Sequence, residues 1–153
     1  MLHIESLTGR LVFIRAESPI TLDEVDIFQS RAQEILCSGA PKIVFADVRL
    51  LHVLRAEYAD RLAALMMLDA PYLERSAFLL SPASATVELQ FDRLLHGNTG
   101  SRRLFREPYA AATWLAPVLT RPERSALLKC MSYEPDQQRP GDTETRGQRN
   151  HPM

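Results

Sequence analysis

The chain has 153 residues, 46% of them apolar and 24% charged, and a formal net charge of -1. That length supports one soluble domain burying roughly two-thirds of its unfolded surface, and the neutral balance excludes a general nucleic-acid binder, which carries a basic excess. The longest unbroken apolar run, Leu62–Leu68, is seven residues, against the ~18 or more that a membrane span needs, and Glu5, Arg10 and Arg15 stand where a secretory signal would be apolar.

Leu2–Ser6 and Leu11–Ile14 read as short strands joined by the turn-like Leu7-Thr8-Gly9, which predicts an N-terminal hairpin. Thr21-Leu22-Asp23-Glu24 is a capping box: the Thr21 hydroxyl can accept from the Glu24 amide while the Glu24 carboxylate reaches back to the Thr21 amide. Leu22, Val25, Phe28, Ala32, Ile35 and Leu36 follow at helical spacing, and Gly39 and Pro41 end that helix. Lys42–Val48 has the near-continuous apolar content of a central strand covered on both faces. Ala56–Asp69 is rich in helix formers, with Ala59, Leu62, Ala63 and Met66 on one face.

Ala77–Leu80 reads as a short buried strand. Ser81 is placed to cap the next helix, with Pro82 as its first residue, a stripe of Val87, Phe91, Leu94 and Leu95, and Gly97 as its stop. Arg102–Arg106 is a short strand around Leu104 and Phe105. Glu107-Pro108 opens a helix through Ala111, Trp114 and Leu115 that Pro117 ends or kinks. Thr120-Arg121-Pro122-Glu123 is a second capping box, opening a last helix through Leu127 and Leu128. The order β-β-α-β-α-β-α-β-α-α predicts an α/β fold: a small mixed, mostly parallel sheet with an N-terminal hairpin, flanked by helices. The domain takes residues 1–130; residues 131–153, polar and rich in proline and glycine, are expected to form a disordered tail.

Net charge hides a polarity. Residues 1–92 hold 8 basic and 13 acidic side chains, residues 93–130 hold 7 and 2, and residues 131–153 hold 3 and 4. Either the two parts complement each other inside the fold, or the patches steer association with another protein.

The joints between these elements resemble the STAS-like domains, in particular their SpoIIAA-like branch. The resemblance rests on Ile20-Thr21-Leu22-Asp23-Glu24 after the hairpin and on Ile43-Val44-Phe45-Ala46-Asp47-Val48-Arg49 as a central strand. It also rests on Ser76-Ala77-Phe78-Leu79-Leu80, and on Arg103-Leu104-Phe105-Arg106-Glu107-Pro108 followed by Ala111, Ala112, Trp114 and Leu115. It spans about residues 3–116. The resemblance implies a regulatory or scaffolding module that binds proteins and is not an enzyme. In the anti-sigma antagonists of this family a serine just after the central strand is phosphorylated. Here Asp47-Val48-Arg49-Leu50-Leu51 holds no Ser or Thr, and none occurs before Ser76, so that switch is not carried over. The SpoIIAA-like branch is also linked by fold to carriers of hydrophobic ligands.

Asp47 and Arg49 fall at the carboxyl end of the central strand, where open α/β sheets collect binding sites. With His52 and Arg55 they could line a groove for a partner or small anion; equally, Asp47 could cap the following loop and pair with a neighbouring arginine. A receiver-type phosphoacceptor at Asp47 would need an acidic pair after the first strand, and Ile14-Arg15-Ala16-Glu17-Ser18 has none. Ser81 and Ser84 sit at a strand-to-helix joint without the glycines of a nucleophile elbow, which leaves capping or anion binding. Cys37 and Cys130 are too few for a disulfide framework, fit a reducing cytoplasm and show no partner for nucleophilic chemistry. His3, His52, His96 and His151 have no ligand spacing, so no metal is expected. Gly97-Asn98-Thr99-Gly100-Ser101 follows a helix and precedes a strand, the reverse of a phosphate loop, and reads as a connection.

Arg93, His96, Arg102, Arg103 and Arg106 read as a solvated basic face or as a site for an acidic protein. The acidic first part of a second copy is one such partner, giving a homodimer. Met66, Met67 and Trp114 read as core first and as pocket or surface contacts second. The expected function is a cytoplasmic, non-enzymatic module that needs no cofactor and binds a protein partner through Asp47, Arg49, His52, Arg55, Ser81 and Ser84. The alternative is a carrier of a small hydrophobic or lipid-like ligand, held between the sheet and the Ala56–Asp69 helix beside Leu62, Met66 and Phe78.

Overall fold

The computed structural model describes residues 1–96 and 100–132. Residues 97–99 of the expected glycine-bearing connection and residues 133–153 of the expected tail lie outside the described residues. The strands are β1 (Leu2–Thr8), β2 (Leu11–Glu17), β3 (Lys42–Leu50), β4 (Leu73–Leu79) and β5 (Arg102–Phe105). The helices are α1 (Leu22–Leu36), α2 (Ala56–Asp69), α3 (Ala85–Leu94), α4 (Pro108–Leu115) and α5 (Arg121–Met131), with single 3-10 turns at Ala70–Tyr72 and Ala116–Val118.

One five-stranded sheet runs in chain order, β1-β2-β3-β4-β5. β1 and β2 pair antiparallel as a hairpin, and the remaining pairs are parallel. Each parallel step moves one strand in the same direction, so right-handed crossovers bring α1, α2 and α3 to one face. After β5 the chain recrosses the other face, where α4 packs on β4 and β5 and α5 on β1 and β2.

Strand alternation divides the core between the faces. Leu11, Phe13, Ile43, Phe45, Ala77 and Leu79 meet Ala111 and Leu115 of α4 and Leu127 of α5. There the Phe13 and Phe45 rings stack, their centroids 6.1 Å apart. On the opposite face Val12 and Val44 meet Ala32, Leu36 and Leu65, and Ala46 and Phe78 meet Met66 and Phe91.

Both capping boxes form. The Glu24 amide donates to Thr21 Oγ1 at 3.2 Å and the Glu123 amide to Thr120 Oγ1 at 3.3 Å. The second box also locks the hairpin. The Arg10 amide donates to Glu123 Oε2 at 2.6 Å, beside Gly9 with its positive φ of 55°. A Cβ on Gly9 would stand 2.5 Å from that same oxygen, so the turn needs glycine both for its backbone and for its approach to α5. Burial works against the Glu123 charge, but the amides of Thr120 and Arg10 outweigh it and hold the carboxyl below its ordinary range.

Three expectations are corrected. Ser81 does not cap a helix: α3 begins at Ala85 with Ser84 at the cap position, and the Ser84 side chain makes no capping bond. Ser81 instead closes a turn. Its hydroxyl accepts from the Ala83 amide at 3.3 Å and its carbonyl from the Ser84 amide at 3.2 Å, a local alternative open to a serine followed by proline. β4 begins at Leu73, before the expected Ala77, because Glu74, Arg75 and Ser76 are strand residues whose polarity hides them. Arg102 is not on a solvated face: it is only 2% exposed, while Arg93, His96, Arg103 and Arg106 are exposed as expected. Among the described residues no helix is long and apolar enough to cross a membrane.

Candidate functional site

α1 and α2 lean on the sheet unevenly. The buried residues of α1 are Ala32 and Leu36, and those of α2 are Leu65, Met66 and Asp69, all in the C-terminal halves. Both helices follow their strands and so begin at the carboxyl edge of the parallel sheet. Their first turns stand away from strand residues that are small there, Ala16 and Ala46. The wedge left between is a cavity of about 100 Å³, with an almost wholly apolar lining. An apolar cavity of roughly 150 Å³ accepts benzene or xenon, so this one is sized for a small ring or a short alkyl segment.

Leu62, Met66 and Phe78, the residues expected to line a ligand pocket, all face this cavity. At its outer end are Gln29, Tyr58 and Arg61, all half-buried. Arg61 pairs with Asp26, joining α2 to α1 across the opening. At its inner end, near the amino edge of the sheet, lie Asp69, Ser76 and Arg102. Arg102 Nη2 donates to the Met66 carbonyl oxygen at 2.8 Å and to the Asp69 carboxylate. Burial pushes the Asp69 carboxyl up to about 6, against the opposing pull of Arg102.

The residues expected to bind a partner gather at the carboxyl edge, but not as one open groove. β3 runs through Leu50, so Asp47 and Arg49 share a strand face. That face is the one α4 and α5 cover. Asp47 is 4% exposed. Its Oδ1 accepts from Arg49 Nε at 3.0 Å and from the Arg49 amide at 3.2 Å, and its Oδ2 accepts from Arg49 Nη2 at 2.9 Å. Arg15 Nη2 lies 3.9 Å from the same carboxylate, with its guanidinium 5.1 Å from the Phe13 ring centroid. Two arginines thus enclose one carboxylate, which matches the pairing alternative for Asp47.

His52 and Arg55 are exposed. Their loop is tied down by Gln90 of α3, which accepts from the Leu54 amide at 2.8 Å and donates to its carbonyl at 2.9 Å. The His52 amide donates to Ser18 Oγ at 2.8 Å. Ser81 and Ser84, both half-buried, follow the neighbouring strand β4 at the same edge.

Met66 is buried and Met67 exposed, and Trp114 is half-buried at the rim of the core, with the guanidinium groups of Arg75 and Arg103 against its ring. Burial, with a smaller push from Asp69 for Cys37 and from Glu5 for Cys130, raises both thiols above the ordinary cysteine range, away from thiolate chemistry. No group of three His, Cys, Asp or Glu side chains that could hold a metal occurs among the described residues.

Fold and site together define an α/β domain with a mixed sheet and an apolar cavity on its three-helix face. No protein-family model and no curated protein matches the chain.

Proposed function

We propose that this chain binds a small, largely apolar ligand in the cavity between the sheet and helices α1 and α2. One observation carries the reading: a cavity of about 100 Å³ that combines a deep apolar wall with half-buried residues at its outer end. A core built only for stability would be filled. The link by fold between the SpoIIAA-like branch and carriers of hydrophobic ligands supports the same direction.

Benzene is a suitable first probe. Saturating benzene should raise the melting temperature by about 3 °C or more, because a ligand that binds only the folded state stabilises it by mass action. Native mass spectrometry of the purified protein should show a small adduct or an uptake of the probe. An unchanged melting temperature with no bound mass would overturn the reading.

A second reading, a module that recruits a protein partner, is favoured by the end of β3 and the loop after it. Leu50, Val53 and Arg55 are 40%, 55% and 75% exposed there. Its test is loss of a specific partner, a second copy included, on Val53→Asp with Arg55→Glu. Arg49 is left alone in that test because it is bonded to Asp47.

A further inference from the structure

The inner end of the cavity holds two polar groups that the apolar-ligand reading leaves idle. Ser76 Oγ and Arg102 Nη1 are both buried, and neither has a hydrogen-bond partner among the described residues. Ser76 is 1% exposed and Arg102 2% exposed. They are direct neighbours, since Ser76 of β4 pairs in register with Arg102 of β5, and both line the cavity. A buried donor or hydroxyl left unpaired is costly, and such groups nearly always meet a partner. Arg102 Nη2 is already engaged, by the Met66 carbonyl and the Asp69 carboxylate.

We propose that these two groups form a polar floor that receives a single uncharged oxygen at the inner end of the ligand. The ligand class is therefore a small apolar molecule carrying one ketone, aldehyde, ester or alcohol oxygen, bound oxygen first. Arg102 Nη1 is a donor only, and Ser76 Oγ both donates and accepts, so the pair suits a carbonyl by double donation and an alcohol by one donation and one acceptance. Net charge argues against a carboxylate. Arg102 already has a carboxylate partner in Asp69, and an added anion would leave a net negative charge in a buried site. The inference rests on the cavity reading and specifies its ligand.

The test uses three probes of similar size: cyclopentanone, methylcyclopentane and cyclopentanecarboxylate. Each is titrated at pH 7 into the full chain, into Ser76→Ala and into Arg102→Lys. The lysine variant keeps a cation for Asp69 but loses the second nitrogen. Loss of one hydrogen bond should weaken cyclopentanone by about tenfold or more in either variant while methylcyclopentane is unaffected. A complex structure should place the ketone oxygen within hydrogen-bond distance of Arg102 Nη1. If both neutral probes bind all three proteins alike, with ordered water on Nη1 and Oγ, the floor inference is overturned and the cavity reading stands. If the carboxylate binds more tightly than the ketone, the uncharged-oxygen assignment is overturned. If neither neutral probe binds the unaltered chain, both readings fall together. Should Arg102→Lys fail to fold, Ser76→Ala decides alone.

Discussion

Asp69 and Glu123 are both buried carboxylates, and the groups around them push their ionisation in opposite directions. Glu123 accepts from two backbone amides and stays ionised into acid, so its stabilisation is present at neutral pH and is lost as pH falls through its lowered pKa. Asp69 has only Arg102 and its own backbone amide to oppose its burial, and Cys37 nearby adds no counter-charge. Its pKa rises from 3.8 to about 6. The unfolded chain therefore releases this proton at lower pH than the folded chain does. The Asp69 contribution is fully present below about pH 4 and is lost as pH rises to about 6 and beyond. The loss is on the order of 2–3 kcal/mol. Urea unfolding of the wild type and of Asp69→Asn, at pH 4 and pH 7, isolates the effect, because the asparagine variant lacks this titration. The wild type should lose ground to the variant as pH rises. An equal stability difference at both pH values would show that Asp69 titrates normally in the fold.

At the scale of elements, two of the three helix starts with serine or threonine signals differ in a measurable way. Thr21 caps α1 through a bond to the Glu24 amide. Ser81 precedes a proline but only closes a turn ahead of α3. Thr21→Ala should cost about 1 kcal/mol in urea unfolding, and Ser81→Ala less than about 0.5 kcal/mol. A cost at Ser81 equal to that at Thr21 would mean that α3 starts earlier than Ala85. The same contrast shows what could be read from the chain. α1, α2 and α5 were legible because helical spacing coincides with a reciprocal cap or a run of good formers. β3 was legible because nearly all of it is apolar. The first half of β4 was not, since Glu74, Arg75 and Ser76 look like surface until the sheet order places Arg75 against Trp114 and Ser76 over the cavity. Leu62, Met66 and Phe78 were legible as a pocket wall from their spacing and from the strand. The floor was not. Asp69, Ser76 and Arg102 lie on three elements, and only the register between β4 and β5 brings the last two together. A buried arginine also has the same local pattern as an exposed one, so sequence alone does not separate Arg102 from its solvated neighbours Arg103 and Arg106.

For the molecule as a whole, the sheet separates two cores, one of which holds the cavity, and two alanines on neighbouring central strands report on each. Ala77 of β4 is fully buried in the cluster beneath α4 and α5. Ala46 of β3 is 1% exposed and lines the cavity. Both are small residues at the centre of one sheet, so secondary-structure propensity does not distinguish them. Packing does. Leucine at position 77 has no space to enter and should destabilise the fold by about 1–3 kcal/mol. Leucine at position 46 adds its methylene and methyl groups to existing space, and should stabilise the fold by about 1 kcal/mol after some loss to imperfect fit. The same Ala46→Leu change should abolish the melting shift produced by benzene, because side chain and probe compete for one volume. Gain of stability with loss of binding is the pattern of a cavity retained for a ligand. If Ala46→Leu destabilises as much as Ala77→Leu, the volume beneath α1 and α2 is already closed, and the two faces of the sheet are equally full.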